Sequence, residues 1–213
     1  MIRVSAYRWV PPLARGLVKD LRVRWALEEA RLPYEQRLIG LDEKNSQAYR
    51  RLQPFAQVPA YEEDGLILFE SGAIVLHIAQ RSDALLPPDP VGRARATAWM
   101  FAALSSMEPF IQEFASVDLF YADQEWAKMR RPGAEEMART RLTDLAAALD
   151  GREYLEDRFT AGDLLMTTVL RILRHTDLVA RFPVLAAYQA RCEERLAFRR
   201  ALAAQMAAFT DQP

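Results

Sequence analysis

Gln57-Val58-Pro59-Ala60-Tyr61, followed a short turn later by Phe69-Glu70-Ser71-Gly72-Ala73-Ile74, is the stretch on which the reading of this chain turns. A proline cannot donate to a strand ladder, so Pro59 marks an edge or the start of a strand. The backbone before it is then open to pair with an extended peptide. Glu70 and Ser71 stand where a helix begins. Free N–H groups and the positive end of the helix dipole attract an anion there. The Ser71 hydroxyl suits a carboxylate, and the Glu70 carboxylate suits an amine. Together they describe a ligand with a peptide backbone and a free α-amino-acid end. The competing reading of Ser71 is plain helix capping.

Around this stretch the pattern is that of a small α/β domain. Val58 to Tyr61 and Leu66 to Phe69 are apolar runs separated by Glu62-Glu63-Asp64-Gly65. Asp-Gly between two such runs predicts a hairpin. A helix is expected from Ser71 to Arg81, with Ile74 and Ile78 one turn apart. Upstream, residues 2–7 read as a strand. Residues 14–30 read as a helix, with Leu17, Leu21 and Trp25 at four-residue spacing. Tyr34 to Ile39 is a second strand, and Ser46 to Leu52 a short helix ending before Pro54. The order is strand, helix, strand, helix, strand, strand, helix.

After Arg81 the character changes. Residues 82–91, with Pro87-Pro88 and Pro90, read as a linker. From Gly92 on only helices are expected, over 92–121, 133–149, 161–175, 183–194 and 196–208. The first carries Trp99, Met100, Phe101, Leu104, Met107, Phe110, Ile111 and Phe114, apolar on more than one side. Such a helix buries two faces. The fold class is therefore α/β followed by all-α, with domains at 1–81 and 92–213. Thr160 and Asp163 are spaced as a capping-box-like pair, with Phe159 and Leu164 placed as a hydrophobic staple. They are assigned to folding.

Composition narrows the function classes. The chain has 213 residues, 51% of them hydrophobic, which is enough for a substantial core. A formal net charge of −1 argues against a general role on nucleic acid or a membrane surface. The start, Met1-Ile2-Arg3-Val4, reads as a strand and not as a signal peptide. No apolar stretch approaches the roughly 20 residues that cross a bilayer. The single cysteine, Cys192, has no internal disulfide partner, so a cytoplasmic location is expected. His77 and His175 lack metal-ligand spacing, and no metal is expected.

With these motifs in order, the chain resembles the cytosolic-type glutathione transferases over essentially its whole length. Gln53-Pro54-Phe55-Ala56-Gln57-Val58-Pro59 is similar to the family's Asn-Pro-x-Gly-x-Val-Pro segment, with Gln53 and Ala56 as departures. Phe69-Glu70-Ser71-Gly72-Ala73-Ile74 resembles its Glu-Ser-x-Ala-Ile segment. Val23-Arg24-Trp25-Ala26-Leu27-Glu28-Glu29 resembles the end of its first helix, and Phe159-Thr160-Ala161-Gly162-Asp163-Leu164 a late helix start. The resemblance implies a thioredoxin-like N-terminal domain and a C-terminal helical bundle domain. It implies glutathione as co-substrate and no other cofactor. It implies that Val58 pairs with the cysteinyl backbone before a cis Pro59. Glu70 and Ser71 then grip the γ-glutamyl end, and Gln57 lies near the tripeptide's backbone or glycine end. It also points to a homodimer and to detoxification of a small electrophile.

The thiol activator is the open point. Glutathione chemistry needs a thiolate, favoured by a hydrogen bond or a positive field. Family members supply it from a Tyr, Ser or Cys just after the first strand. Here residues 6–45 contain no Ser, Thr or Cys. The hydroxyls at hand are Tyr7, the first choice, and Ser5. Arg15, Lys19, Arg22 and Arg24 read as a solvated helix face or as a source of positive potential near a thiolate, and Arg15 is the one nearest that loop. The missing cysteine argues against disulfide exchange, and the serine pair of isomerase-type members is absent. Trp9, Phe110 and Phe114 are candidates to line a second-substrate pocket. The competing function is a noncatalytic glutathione-binding or protein-interaction module of the same fold.

Overall fold

The computed structural model describes residues 1–210. These residues fall into two compact units, one formed by Met1–Leu86 together with the chain from Glu194, the other by Pro87–Glu193.

The first unit is built on a mixed sheet of four strands in the order β2-β1-β3-β4. Strand β1 (Ile2–Tyr7) pairs in parallel with β2 (Tyr34–Ile39), from Ile2 opposite Tyr34 to Tyr7 opposite Ile39. On its other side β1 runs antiparallel to β3 (Tyr61–Glu63), with Val4 opposite Tyr61. Strand β4 (Leu66–Leu68) closes a hairpin with β3, turned by Asp64 and Gly65 at φ 48° and 88°. Positive φ at both central residues matches the right-handed strand twist. The proline-bearing segment Val58–Pro59 precedes β3 instead of starting it. This is the thioredoxin-like arrangement.

The first helix is shorter than its periodicity suggests. A 3-10 turn at Pro12–Ala14 is followed by Gly16 at φ 77°, and helix α1 runs only over Asp20–Ala30. The left-handed glycine breaks the run of helical dihedrals that Leu17 and Leu21 would otherwise continue. Beyond β2, α2 (Gln47–Arg50) is capped by Ser46, whose Oγ accepts from the Tyr49 N–H at 3.1 Å. Helix α3 covers Ser71–Ala79.

Helix α9 (Leu196–Ala207) packs on α1 within this same unit. The Trp25 and Phe198 rings meet edge to face at 4.8 Å, both buried. Burying such side chains stabilises by roughly 1.5–3 kcal/mol each. Arg195 grips Glu29 through two bonds of 2.6 and 2.9 Å. Gln205 Nε2 donates to Asp20 Oδ1 at 2.7 Å. Asp20 in turn accepts from Arg24 Nε at 2.6 Å, and Arg24 reaches Gln36 of β2 at 3.1 Å. The α1 basic residues are thus not a solvated face. Arg24 is 1% exposed and Arg22 3%. Apolar residues flank them on α1, and of Lys19, Arg22 and Arg24 only Lys19, just before the helix, is exposed.

In the second unit the long helix expected over 92–121 is interrupted. Helix α4 (Pro90–Phe101) passes through a π segment (Ala102–Met107) into α5 (Glu108–Leu119). Pro109 lacks an N–H and cannot continue the α ladder, and the wider turn absorbs the break. Helix α6 spans Glu125–Leu149, α7 Ala161–Leu170 and α8 Pro183–Glu193. Helix α7 is buried along its whole length and opens with a complete capping box between Thr160 and Asp163. Gly162 serves more than the cap. A methyl there would lie 2.6 Å from the Trp99 Cβ, so the glycine sets how closely α7 approaches α4.

Candidate functional site

The features singled out around Val58 and Ser71 both lie in the first unit. Gln53 builds the loop that leads into them. It is 2% exposed, and its Oε1 accepts from the N–H groups of Phe55 at 2.7 Å and Gln57 at 3.2 Å. Between these donors Ala56 takes a left-handed φ of 56°. That is the position where the family segment has glycine, so the departure in sequence keeps the backbone shape at a conformational cost.

The Val58–Pro59 peptide bond is cis. Val58 is 7% exposed. Neither its N–H nor its carbonyl hydrogen-bonds to any other described residue. Backbone groups in so covered a residue normally have partners. Both neighbours are firmly held. A chain of hydroxyls runs from the Ala60 N–H to Ser5 Oγ at 2.7 Å, on to Tyr49 Oη at 2.7 Å, and to the Gln57 carbonyl at 2.7 Å. Its direction is fixed, because an N–H only donates and a carbonyl only accepts. Tyr49 gives its proton to Gln57, so Ser5 gives its own to Tyr49. The Val58 backbone is therefore an open pairing edge clamped on both sides.

Ser5 is consequently committed to structure, and its hydroxyl is not free to donate to a thiolate. Tyr7 differs. It lies two residues along β1, on the same face, and packs half-buried against the cluster of Ile39, Tyr49 and Val58. No described residue hydrogen-bonds its hydroxyl. Burial pushes the Tyr7 pKa up from its ordinary value, so the hydroxyl keeps its proton. Burial likewise holds Tyr49 protonated, with its pKa pushed up to about 12. Arg15 is tied to the C-terminal segment. Its Nη2 donates to the Thr210 carbonyl at 3.0 Å, and its guanidinium sits 5.6 Å from the Phe209 ring centroid.

At the start of α3, Glu70 is the N-cap residue with φ 68° and ψ 113°. Positive φ is unusual for a residue with a side chain and clusters at functional sites. Its exposed side chain makes no cap bond. Ser71 is the first helical residue and is 5% exposed. Arg22 Nη1 donates to its Oγ at 3.2 Å. The Gln57 side chain is exposed, while its backbone is held as described. Of the residues considered for a second-substrate pocket, Trp9 and Phe110 are half-buried. Phe114 is 1% exposed with Arg131 over its ring at 5.2 Å, and fills the core of its own unit.

Sequence reasoning gave Tyr49 no role, named Gln53 only as a departure from the family segment, and did not link Arg22 to Ser71. The sequence signal for Arg22 was weak: its neighbours Leu21 and Val23 are apolar, but Glu29 lies on the same side of the helix two turns on. Nothing in the sequence joins Tyr49 to Ser5 across forty-four positions.

Residues 14–80 match the family model for the glutathione S-transferase N-terminal domain. Glutathione S-transferase 3 of Schizosaccharomyces pombe is 30% identical over 105 residues, 47% of this chain and 43% of that protein. A probable maleylacetoacetate isomerase of Caenorhabditis elegans is 33% identical over 91 residues, 41% of this chain and 42% of its own. This chain thus aligns with less than half the length of either curated relative. A glutathione transferase from Burkholderia graminis, solved with two glutathione molecules per subunit, superposes with a TM-score of 0.82 at 26% identity. The superposition covers 94% of this chain and 87% of that one. Residues 14–80 are thus similar to the N-terminal domain of the glutathione S-transferases, and the chain shares the fold of that solved glutathione transferase.

Proposed function

We propose that this protein binds glutathione along Val58 and Ser71 and transfers its thiolate to a small, largely apolar electrophile. The observation that carries the reading is the unpaired backbone N–H and carbonyl of Val58, held open between two fixed neighbours. An extended cysteinyl residue satisfies both groups at once, as a strand added to a sheet edge does. The amides of α3 and the Ser71 hydroxyl take the γ-glutamyl carboxylate, and Glu70 pairs with its amine. Tyr7 donates its free hydroxyl to the sulfur and favours the thiolate. The thiolate then forms a carbon–sulfur bond as the electrophile's leaving group departs with its electron pair, or adds to an activated double bond. Glutathione is a co-substrate here, and no further cofactor enters. A homodimer suits the exposed apolar side chains of the helical unit, among them Phe101, Phe120, Trp126 and Met129. A reducing cytoplasm suits a glutathione-dependent enzyme.

One observation favours a second reading. The Ser5 hydroxyl is spent on Tyr49, and residues 6–45 offer no Ser, Thr or Cys. If Tyr7 does not act, the protein is a noncatalytic glutathione-binding or interaction module. Calorimetric titration with glutathione, paired with conjugation of a generic aryl halide, separates the readings. The proposal expects binding with turnover, and Ser71→Ala weakening binding by about 1–3 kcal/mol. Binding without turnover points to the module. No binding by the wild-type protein overturns both.

A further inference from the structure

We propose that Arg22 is a positioning residue that makes the start of α3 selective for a carboxylate. The inference rests on the glutathione reading above and assigns a role to a residue outside its contact surface. Arg22 lies on α1 and is 3% exposed, and its Nη1 is 3.2 Å from the Ser71 Oγ. A guanidinium has donors and no acceptor, so at this contact the Ser71 oxygen must accept. The hydrogen of the Ser71 hydroxyl is then directed to some other acceptor. No described residue provides one, although Ser71 is only 5% exposed. Buried hydroxyls normally have partners.

The consequence is a fixed polarity. Without Arg22, a serine at a helix start could donate or accept according to its ligand. With it, Ser71 presents a donor. The first amides of α3 are donors as well, and the positive end of the helix dipole lies with them, with the guanidinium behind the hydroxyl. An anionic oxygen finds three favourable partners. An amine or ammonium group at the same point meets these donors and only the one lone pair that Arg22 leaves on the Ser71 oxygen. Glu70, exposed and free of a cap bond, is left as the acceptor for the amine beside it. The pair Arg22–Ser71 thus sets which end of an α-amino acid goes where.

The test compares two ligands by calorimetry: glutathione, and γ-aminobutyryl-cysteinyl-glycine, which lacks only the γ-glutamyl carboxylate. Arg22→Gln should weaken glutathione by about tenfold, the size of one charge-assisted hydrogen bond, and leave the truncated ligand nearly unchanged. Arg22→Lys keeps the charge and should retain part of the preference. Should Arg22→Gln fail to fold, Arg22→Lys carries the test through the same selective loss at smaller amplitude. Equal weakening of both ligands would mean that Arg22 only supports the fold, and unchanged binding of both would mean it does nothing for the ligand. Either result overturns the proposal. Wild-type protein that binds neither ligand would instead remove the glutathione reading itself.

Discussion

Two hydroxyls stand two residues apart on one face of β1, and their surroundings separate their roles. The Ser5 proton is fixed in a hydrogen-bond chain that ends on the Gln57 carbonyl, while the Tyr7 proton has no partner among the described residues. Tyr7→Phe keeps the ring and removes the donor. The thiol of bound glutathione should then titrate at higher pH, and turnover should fall while glutathione affinity changes little. Thiolate absorbance against pH measures this directly, and coincident curves for the two proteins would exclude Tyr7. The sign of the pH dependence follows from burial. Because the Tyr7 pKa is raised, its hydroxyl remains a donor through neutral pH and loses its proton only above the ordinary tyrosine range near 10. At this scale the local geometry around the proposed contact residues was legible in the sequence. Val58, Pro59, Glu70 and Ser71 sit in short segments whose local chemistry is self-contained. Their supports were not legible, because Tyr49, Gln53 and Arg22 act through partners brought close only by folding.

Among the elements, helices and strands were legible by type and less so by extent. Periodicity carried α1 back to residue 14, but the left-handed Gly16 delays it to Asp20. The apolar run over 92–121 hid a π segment beside Pro109. Gly162 gives an element-scale prediction with a sign opposite to helix propensity. Alanine is better than glycine in a helix by about 1 kcal/mol. Here the added methyl would meet the Trp99 Cβ at 2.6 Å and the Ala96 carbonyl at 3.3 Å. Overpacking of that kind costs about 1–3 kcal/mol. Gly162→Ala should therefore lower the denaturation midpoint in urea. A raised midpoint would show that α4 and α7 shift apart without cost.

For the molecule as a whole, chain order does not dictate which unit an element joins. Helix α9 follows the helical unit in sequence, yet Phe198, Arg195 and Gln205 fasten it to α1 of the sheet unit. A linear reading places 196–208 with the preceding helices because it cannot see the buried Asp20 that Gln205 reaches. Exposed Phe101, Phe120, Trp126 and Met129 lead to the expectation of a homodimer, twofold symmetry being the commonest arrangement. Sedimentation at micromolar concentration should give twice the 24.3 kDa chain mass, and a species at that mass would refute it. The central claim is that an extended peptide pairs with the Val58 backbone. The amide resonance of Val58, followed while glutathione is titrated into the labelled protein, reports on it most directly. The account predicts a saturable shift of the Val58 N–H and its protection from hydrogen exchange in the complex. Glutathione that binds while the Val58 amide keeps its free-state shift and exchange rate would contradict it.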